Sequence, residues 1–446
     1  MDNKTKVTNM TEGNTLKLLI LFAIPMLIGN LFQQLYNIVD SIVVGRLVGA
    51  DALASIGVTG SISFFFFALC NGIGAGGGII ASQYFGMNDT KNVKSCITNT
   101  AYIMIIFPTV VGLIAFTLAK PLLTLMNTPA NIMPDATRYL KLLCVGLVFV
   151  SVYNFVSSML RALGDSKTPL YFLIFSCILN TILDIVFVKY LNLNVLGAGI
   201  ATLVSQFVSG ALCITYAIKT NSYFRPSIED LKINKPIILA TIRLGVPLSL
   251  QFSLIAISSM ALQRVVNSFG AVAVATFTAV DRIEQIIHQP YQTLSAALST
   301  YTGQNYGADN KDRMKEGYRK SLLLMLIFSI VMVTSMQIFG RNIISLFVNS
   351  EDVITMGAKA LRITSLFYLF LGMIYIIRGI LNGVGDSFFA LYNGVIEVIG
   401  RFTVPTLLTM IPFIGVWGLW WSVGIVWFIS GLTAWMRYVS MKKRIY

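Results

Sequence analysis

Charged residues are scarce in this 446-residue sequence. They make up 12% of the chain, whereas 56% of the residues are hydrophobic. Soluble domains carry about 25% charged residues, so this composition excludes an ordinary soluble enzyme. The apolar residues occur in runs of about 20 or more, which as α-helices can cross a hydrocarbon core of about 30 Å. We therefore expect a polytopic membrane protein.

Histidine and cysteine are also too few or too scattered for common catalytic or metal sites. The only histidine is His288, so no Ser-His-Asp set can be argued. The five cysteines lie in or beside apolar stretches without metal-ligand spacing: Cys70, Cys96, Cys144, Cys177 and Cys213. The glycine run between Gly72 and Gly78 has no following lysine and favours close helix packing over a phosphate loop. We expect neither an enzyme nor a resident cofactor.

Basic residues outnumber acidic residues, with 33 Lys and Arg against 19 Asp and Glu. In a soluble protein this excess indicates nucleic acid binding, but in a membrane protein it is typical of cytoplasmic loops. With a cytoplasmic N-terminus, most Lys and Arg fall on the cytoplasmic side. We predict a multi-pass protein of the inner (plasma) membrane with both termini in the cytoplasm and no nucleic acid partner.

Apolar stretches predict an all-α protein with twelve transmembrane helices in two six-helix lobes. The predicted spans are 17–44, 52–82, 95–118, 138–161, 169–190, 196–218, 236–264, 270–303, 319–347, 357–383, 388–410 and 415–437. The predicted domains are an N-terminal lobe at 1–218, a polar cytoplasmic connector at 219–243 and a C-terminal lobe at 244–446.

The two halves of the chain are repeats of each other. Three short matches share a spacing of 221 residues: 49–54 with 270–275, 83–86 with 304–307, and 160–166 with 381–387. An even number of spans per half means that both repeats enter the membrane from the same side. We therefore expect a pseudo-twofold axis along the membrane normal, with the substrate path between the lobes.

Ionisable residues inside a bilayer are costly and are usually kept for function or neutralised by a partner. In the first half, Tyr36 and Asn37 precede Asp40 by four and three positions, so the three can share one helix face. Asn180 and Asp184 share a face of the fifth span in the same way. These groups can form a small cavity that binds protons or a cation; the alternative is that protonated acids only join helices by hydrogen bonds.

The second half holds a larger polar set with nearly balanced charges. Its members are Asp281, Arg282, Glu284 and His288 in span 8, Arg378 in span 10, and Glu397 and Arg401 in span 11. Glu397 and Arg401 have the i, i+4 spacing of an internal ion pair. The set is compatible with a substrate-binding network or with structural salt bridges, and both interpretations remain open.

The sequence resembles the multidrug and toxic compound extrusion (MATE) family. The resemblance rests on NIVDSIVVGRLVGADALASIGV (37–58), LRALGDSKTPLYF (160–172), NTILDIVF (180–187), LGAGIAT (196–202), GQNYGADNKDR (303–313), and Pro25 with 33–40. It implies two six-helix lobes in a V shape and export of organic cations and drugs in exchange for H⁺ or Na⁺.

Within the family, the chain resembles the bacterial branch named for a DNA-damage-inducible protein. The resemblance implies an ion-coupling role for Asp40, Asn180 and Asp184, and it adds Thr202. These four side chains supply oxygens that also suit Na⁺, although desolvation and mutual repulsion of two acids favour H⁺. The sequence departs from the other bacterial branch, which has a glutamate in helix 7, because 245–270 contains no acidic residue. This favours the first lobe for coupling.

The expected function is secondary active efflux of amphipathic organic cations by a monomer in the lipid bilayer. The alternative is a flippase for lipids or lipid-linked oligosaccharides, which would favour a basic central cavity. The arginines of the second half are offset by Asp281, Glu284 and Glu397, and the first half is acidic, so the antiporter is the preferred interpretation.

Overall fold

The computed structural model describes residues 7–446, apart from the side chains of 50, 256, 259–261 and 264. The described chain is helical and contains no β-strand within these residues. The α-helices are α1 Thr15–Leu47, α2 Ala50–Gly86, α3 Thr90–Leu125, α4 Met133–Ala162, α5 Lys167–Asp184, α6 Asn194–Thr220, α7 Lys235–Asn267, α8 Gly270–Gly307, α9 Lys311–Ser345, α10 Glu351–Ser365, α11 Tyr368–Gly383, α12 Ser387–Thr409 and α13 Gly418–Ile445.

The helices confirm the predicted all-α membrane fold. Nine helices in the described part of the chain are long and apolar enough to span a membrane, and α10 with α11 supplies a tenth span. The other two spans are α8 and α12, whose hydropathy is lowered by the charged residues noted in the sequence. The fold therefore comprises twelve spans, in agreement with the expected number.

The tenth span differs from its prediction as a single helix over 357–383. It consists of α10 and α11, which meet at an angle of 50°. At the break, the N–H of Phe367 donates to the carbonyl of Thr364 at 3.0 Å and closes a tight turn. Neither proline nor glycine occurs in this turn, so the sequence carried no signal for it.

The backbone confirms the internal repeat independently of residue identity. Left-handed φ angles occur in pairs separated by 221 positions: Gly49 with Gly270, Asn88 with Asp309, Gly164 with Gly385, and Asn194 with Gly415. Helix capping repeats as well, because Asp89 accepts the N–H of Asn92 and Asn310 accepts the N–H of Arg313. Such backbone positions tolerate few residue types, so their recurrence shows that both halves use one scaffold.

Two packing units are formed by the described chain. One contains Ile24–Ser253 with the described residues before Thr11, and the other contains Thr11–Ala23 with Leu254–Tyr446. The first part of α1 therefore packs in unit 2, where the Thr15 hydroxyl lies 3.0 Å from the hydroxyl of Tyr301. The first part of α7 packs in unit 1. The domain boundaries at 218 and 244 remain predictions.

The glycine run in α2 packs closely against neighbouring helices, as predicted. The Ser249 hydroxyl of α7 donates to the carbonyl of Leu69 at 2.6 Å, which fixes α7 against α2 within unit 1. A methyl group on Gly76 would lie 2.6 Å from the backbone nitrogen of Gly245, and one on Gly72 would lie 2.1 Å from that of Ser249. Only a residue without a side chain fits at these positions.

Gly76→Ala is expected to destabilise the protein by about 1–3 kcal/mol, because the added methyl group overlaps helix backbone that cannot move independently. Gly60→Ala is the matched control, since a methyl group there has no neighbour within 4 Å. The control should be neutral or slightly stabilising, because alanine favours a helix over glycine. Thermal unfolding of both variants in detergent tests this, and equal melting temperatures would contradict the packing argument.

Candidate functional site

The site in unit 1 is built around the end of α5. Asp184 is the last residue of α5 and is followed directly by a single π-helical segment, Ile185–Tyr190. Asn180 lies one turn earlier on the same face, and both side chains are buried. Short π-helical segments in longer helices are frequent at functional sites. The predicted pairing of Asn180 with Asp184 on one buried face is confirmed.

The amide of Asn180 connects Asp184 to α6. With its amide nitrogen towards Asp184, that nitrogen donates to Oδ2 of Asp184 at 2.9 Å, and the amide oxygen accepts the N–H of Thr202 at 3.1 Å. The hydroxyl of Thr202 in turn lies 3.1 Å from the hydroxyl of Tyr36 in α1. One hydrogen-bonded network therefore joins α1, α5 and α6.

Asp40 completes the group from α1. Its side chain lies close enough to that of Asp184 for the two carboxyl groups to interact directly. Among the described residues, no donor reaches Oδ1 of Asp40 or Oδ1 of Asp184, and both atoms are buried. Carboxylate oxygens removed from water require a hydrogen-bond donor, a proton or a cation. We name the set Asp40, Asn180, Asp184, Thr202 and Tyr36 the carboxyl pair site.

Two residues differ from the arrangement expected from sequence. Asn37 has an exposed side chain, and its described contact is the Ser41 hydroxyl donating to its backbone carbonyl at 2.8 Å, so the structure does not bring it into the site. Tyr139 of α4 is buried and lies close enough to interact electrostatically with Asp40, Tyr36 and Asp184. Nothing in the spacing of the sequence around Tyr139 indicated this position.

The arrangement is suited to binding a small cation. Two carboxyl groups in contact repel each other when both are ionised, and a proton or a monovalent cation between them removes that repulsion. The oxygens present are those that a hard cation prefers. The described residues contain no cluster of three or more His, Cys, Asp or Glu side chains that could hold a metal ion. The chemistry available is therefore reversible charge neutralisation.

Unit 2 contains a separate buried ion pair. Arg378 of α11 forms a salt bridge with Glu397 of α12, and its guanidinium also donates to Oδ1 of Asn393 at 3.0 Å. The amide of Asn393 donates to the carbonyl of Ser430 at 3.0 Å and to the hydroxyl of Thr433 at 3.1 Å. The salt-bridge partner of Glu397 in the described residues therefore comes from the neighbouring helix, where Asn393 orients the guanidinium, and the expected pairing of Glu397 with Arg401 stays a prediction.

The remaining predicted residues of unit 2 lie along α8. Glu284 is buried beside Thr364 and near Tyr368, at the break between α10 and α11. The ring of His288 packs 5.6 Å from that of Trp427, measured between centroids. Asp281 accepts a hydrogen bond from Gln285 at 2.7 Å, and both Asp281 and Arg282 are exposed. The structure thus places Glu284 and His288 inside unit 2 and leaves Asp281 and Arg282 at its surface.

Both halves of the chain match one family model, MatE, over residues 25–186 and 247–405. The chain is 30% identical to the probable multidrug resistance protein YpnP of Bacillus subtilis over 436 residues, which is 97% of each chain. It is 23% identical to the multidrug export protein MepA of Staphylococcus aureus, over 96% of this chain and 94% of MepA.

The fold is similar to that of solved transporters. An outward-facing multidrug resistance MATE family transporter of the MOP superfamily matches with a TM-score of 0.91 at 22% identity, over 99% of this chain and 98% of that one. The MatE family model matches one segment in each structural repeat. The first segment contains Asp40 and Asp184, and the second contains Arg378 and Glu397. Sequence, repeat and fold agree, and this multi-pass membrane protein belongs to the MATE (MatE) family of transporters.

Proposed function

We propose that this protein is a secondary active antiporter that exports amphipathic, mostly cationic molecules in exchange for H⁺ or Na⁺. The observation that carries the proposal is the proximity of Asp40 and Asp184, two carboxyl groups that each have a buried oxygen that no described donor reaches. Burial of such groups in a membrane protein costs free energy, so their presence favours a coupling role over a purely structural one.

The relatives support the type of substrate. YpnP is named a probable multidrug resistance protein and MepA a multidrug export protein, and the chain aligns with nearly the full length of both. A cationic substrate is the chemical complement of an acidic site in unit 1. We propose that the protein functions as a monomer in the inner membrane, with both termini in the cytoplasm and without a cofactor.

The mechanism follows from the charge state of the carboxyl pair. When the pair is ionised, it attracts either the coupling ion or the cationic substrate. When a proton or Na⁺ neutralises it, that attraction is lost and the two carboxyl groups pack together. Because the site joins α1, α5 and α6, a change in its packing can favour one of two arrangements of these helices. Exchange arises because the ion and the substrate stabilise different charge states of one site.

We propose H⁺ as the coupling ion. Asp40 and Asp184 lie close enough to repel each other when both are ionised, and one proton shared between the two carboxyl groups removes that repulsion. Sodium would require several oxygens directed at one point. In the orientation that lets the Asn180 nitrogen donate to Asp184, the amide oxygen accepts the N–H of Thr202 and is not directed at the carboxyl pair. In that orientation the amide supplies no oxygen ligand for Na⁺.

The buried ion pair of unit 2 has a structural role in this proposal. The Arg378 guanidinium is neutralised by Glu397 and oriented by Asn393, which leaves little charge for a substrate. A flippase for polyanionic headgroups would need free cationic groups facing the substrate. The neutralised state of Arg378 therefore supports efflux of cations over lipid-linked oligosaccharide transport.

Asp40→Asn and Asp184→Asn are each expected to abolish efflux driven by a pH gradient in Na⁺-free proteoliposomes. Each change removes a titrating carboxyl group and preserves side-chain size. The loss should exceed tenfold in the initial rate of transport of a fluorescent organic cation. Asp135→Asn is the matched control, since Asp135 is an exposed carboxylate of unit 1 outside the carboxyl pair site, and its rate should equal that of the wild type.

Three results would contradict the proposal. Wild-type rates in both site variants would remove the carboxyl pair from the mechanism. Transport by the wild type under a Na⁺ gradient at equal pH, with none under a pH gradient without Na⁺, would replace H⁺ by Na⁺. Efflux of equal size with no gradient would exclude an antiporter altogether.

Glu397→Gln should destabilise the folded protein by about 3–5 kcal/mol, because it leaves the buried Arg378 guanidinium without its counter-charge. Arg378→Met combined with Glu397→Leu should recover most of that loss, since apolar residues of similar size need no partner. Thermal unfolding of both variants in detergent measures the effect. If Glu397→Gln abolished transport without lowering the melting temperature, the pair would belong to the transport mechanism instead.

A further inference from the structure

The polar segment that connects α6 to α7 is held firmly to unit 1. The buried amide of Asn99 in α3 donates to the carbonyl of Lys232 at 3.3 Å, and its oxygen accepts the N–H of Asn234 at 2.9 Å. The Tyr102 hydroxyl, one turn further along α3, donates to the carbonyl of Leu231 at 2.9 Å. The backbone from Leu231 to Asn234 is therefore fixed against α3.

A closed turn precedes this fixed stretch. The carboxylate of Asp230 accepts the N–H and the hydroxyl of Ser227, each at 2.7 Å. Partial burial opposes ionisation, but the Ser227 hydrogen bonds and the nearby Lys94 and Lys91 hold the pKa of Asp230 below its usual value. The Ser227 hydrogen bonds and the two lysines therefore already stabilise the charge of Asp230. The side chains that project from 227–234 are presented in a fixed arrangement.

Three of these projecting side chains are large and apolar, namely Ile228, Leu231 and Ile233, and Leu231 is the least exposed of them. Ile228 is 86% exposed and Ile233 is 70% exposed, although both lie in a segment otherwise rich in polar residues. Exposed isoleucines on a fixed backbone are unfavourable in water and indicate an apolar partner. Leu239, at the start of α7, is exposed in the same way and continues the apolar surface along the helix. The lipid bilayer around the ends of α3 and α7 is the nearest apolar medium for these side chains.

Basic residues surround the two isoleucines. Lys91, Lys232 and Lys235 line a cavity of about 550 Å³ between the first turn of α3 and the first turn of α7. Glu229 and Asp230 also line it, but Glu229 lies 3.9 Å from Lys91 and Asp230 is bonded to Ser227. Lysine together with exposed aliphatic side chains is the composition of interfacial membrane anchors.

We propose that the connector surface, defined as Lys91, Ile228, Lys232, Ile233 and Lys235, docks onto anionic phospholipids of the adjacent leaflet. Ile228 and Ile233 enter the boundary between headgroups and acyl chains, Lys232 and Lys235 bind the phosphate groups, and Lys91 offsets the charge of Glu229. The partner is a phospholipid with a net negative headgroup, since both the charge of the lysines and the apolar side chains are then matched by one molecule. This lipid site is separate from the carboxyl pair site, and its test does not depend on transport.

Native mass spectrometry of the full-length purified protein with equal amounts of phosphatidylglycerol and phosphatidylcholine tests the proposal. The wild type should retain phosphatidylglycerol preferentially. Lys232→Gln combined with Lys235→Gln should lower the affinity for phosphatidylglycerol roughly thirtyfold, from the summed contributions of two lysines near an anionic surface. Ile228→Ser combined with Ile233→Ser should weaken retention of both lipids, and these exposed positions leave the fold intact.

Lys120→Gln combined with Lys189→Gln is the control, because it removes two exposed lysines of unit 1 outside the connector surface. The control should retain phosphatidylglycerol as the wild type does. Equal retention by the connector variants and the control would overturn the proposal. Competition by free glycerol phosphate as effective as that by the lipid would also overturn it, because the ligand would then be a soluble phosphate.

Discussion

The structure of this protein depends on the cost of placing charge away from water. A buried carboxylate requires a counter-charge or a proton, and a buried guanidinium requires an acid. Unit 2 meets this requirement permanently, since Arg378 and Glu397 neutralise each other and Asn393 fixes the geometry. Unit 1 does not, because Asp40 and Asp184 are both acids. Neutralisation of this carboxyl pair therefore needs a mobile ion, and this difference makes unit 1 the proposed coupling unit.

The internal repeat emphasises this asymmetry. Left-handed backbone positions and helix caps recur at an offset of 221 residues, so the scaffold is duplicated. The polar residues of the two buried sites are not duplicated: Asp184 corresponds to Pro405, Thr202 corresponds to Val423, and Ser176 occupies the position equivalent to Glu397. Duplicated helices with different buried charges allow one unit to titrate while the other remains fixed.

Much of the fold could be predicted from sequence because its determinants are local. Span length, glycine packing in α2 and the repeat were readable, and i, i+4 spacing placed Asn180 and Asp184 on one face. Spacing cannot tell which neighbouring helix that face meets. For this reason the pairing of Glu397 with Arg378 was not predicted, Tyr139 was missed, and Asn37 was included. The break between α10 and α11 was also unreadable, because a hydrogen-bonded turn formed there without proline or glycine.

The central claim is that one titrating carboxyl pair exchanges a proton for a cationic substrate. The most direct test is the proton balance of substrate binding itself, measured with a pH indicator in weakly buffered detergent solution without Na⁺. Addition of an organic cation to the purified protein should release about one proton per protein molecule, and Asp184→Asn should release none while remaining folded. Saturating binding of the cation by the wild type without proton release would contradict the account.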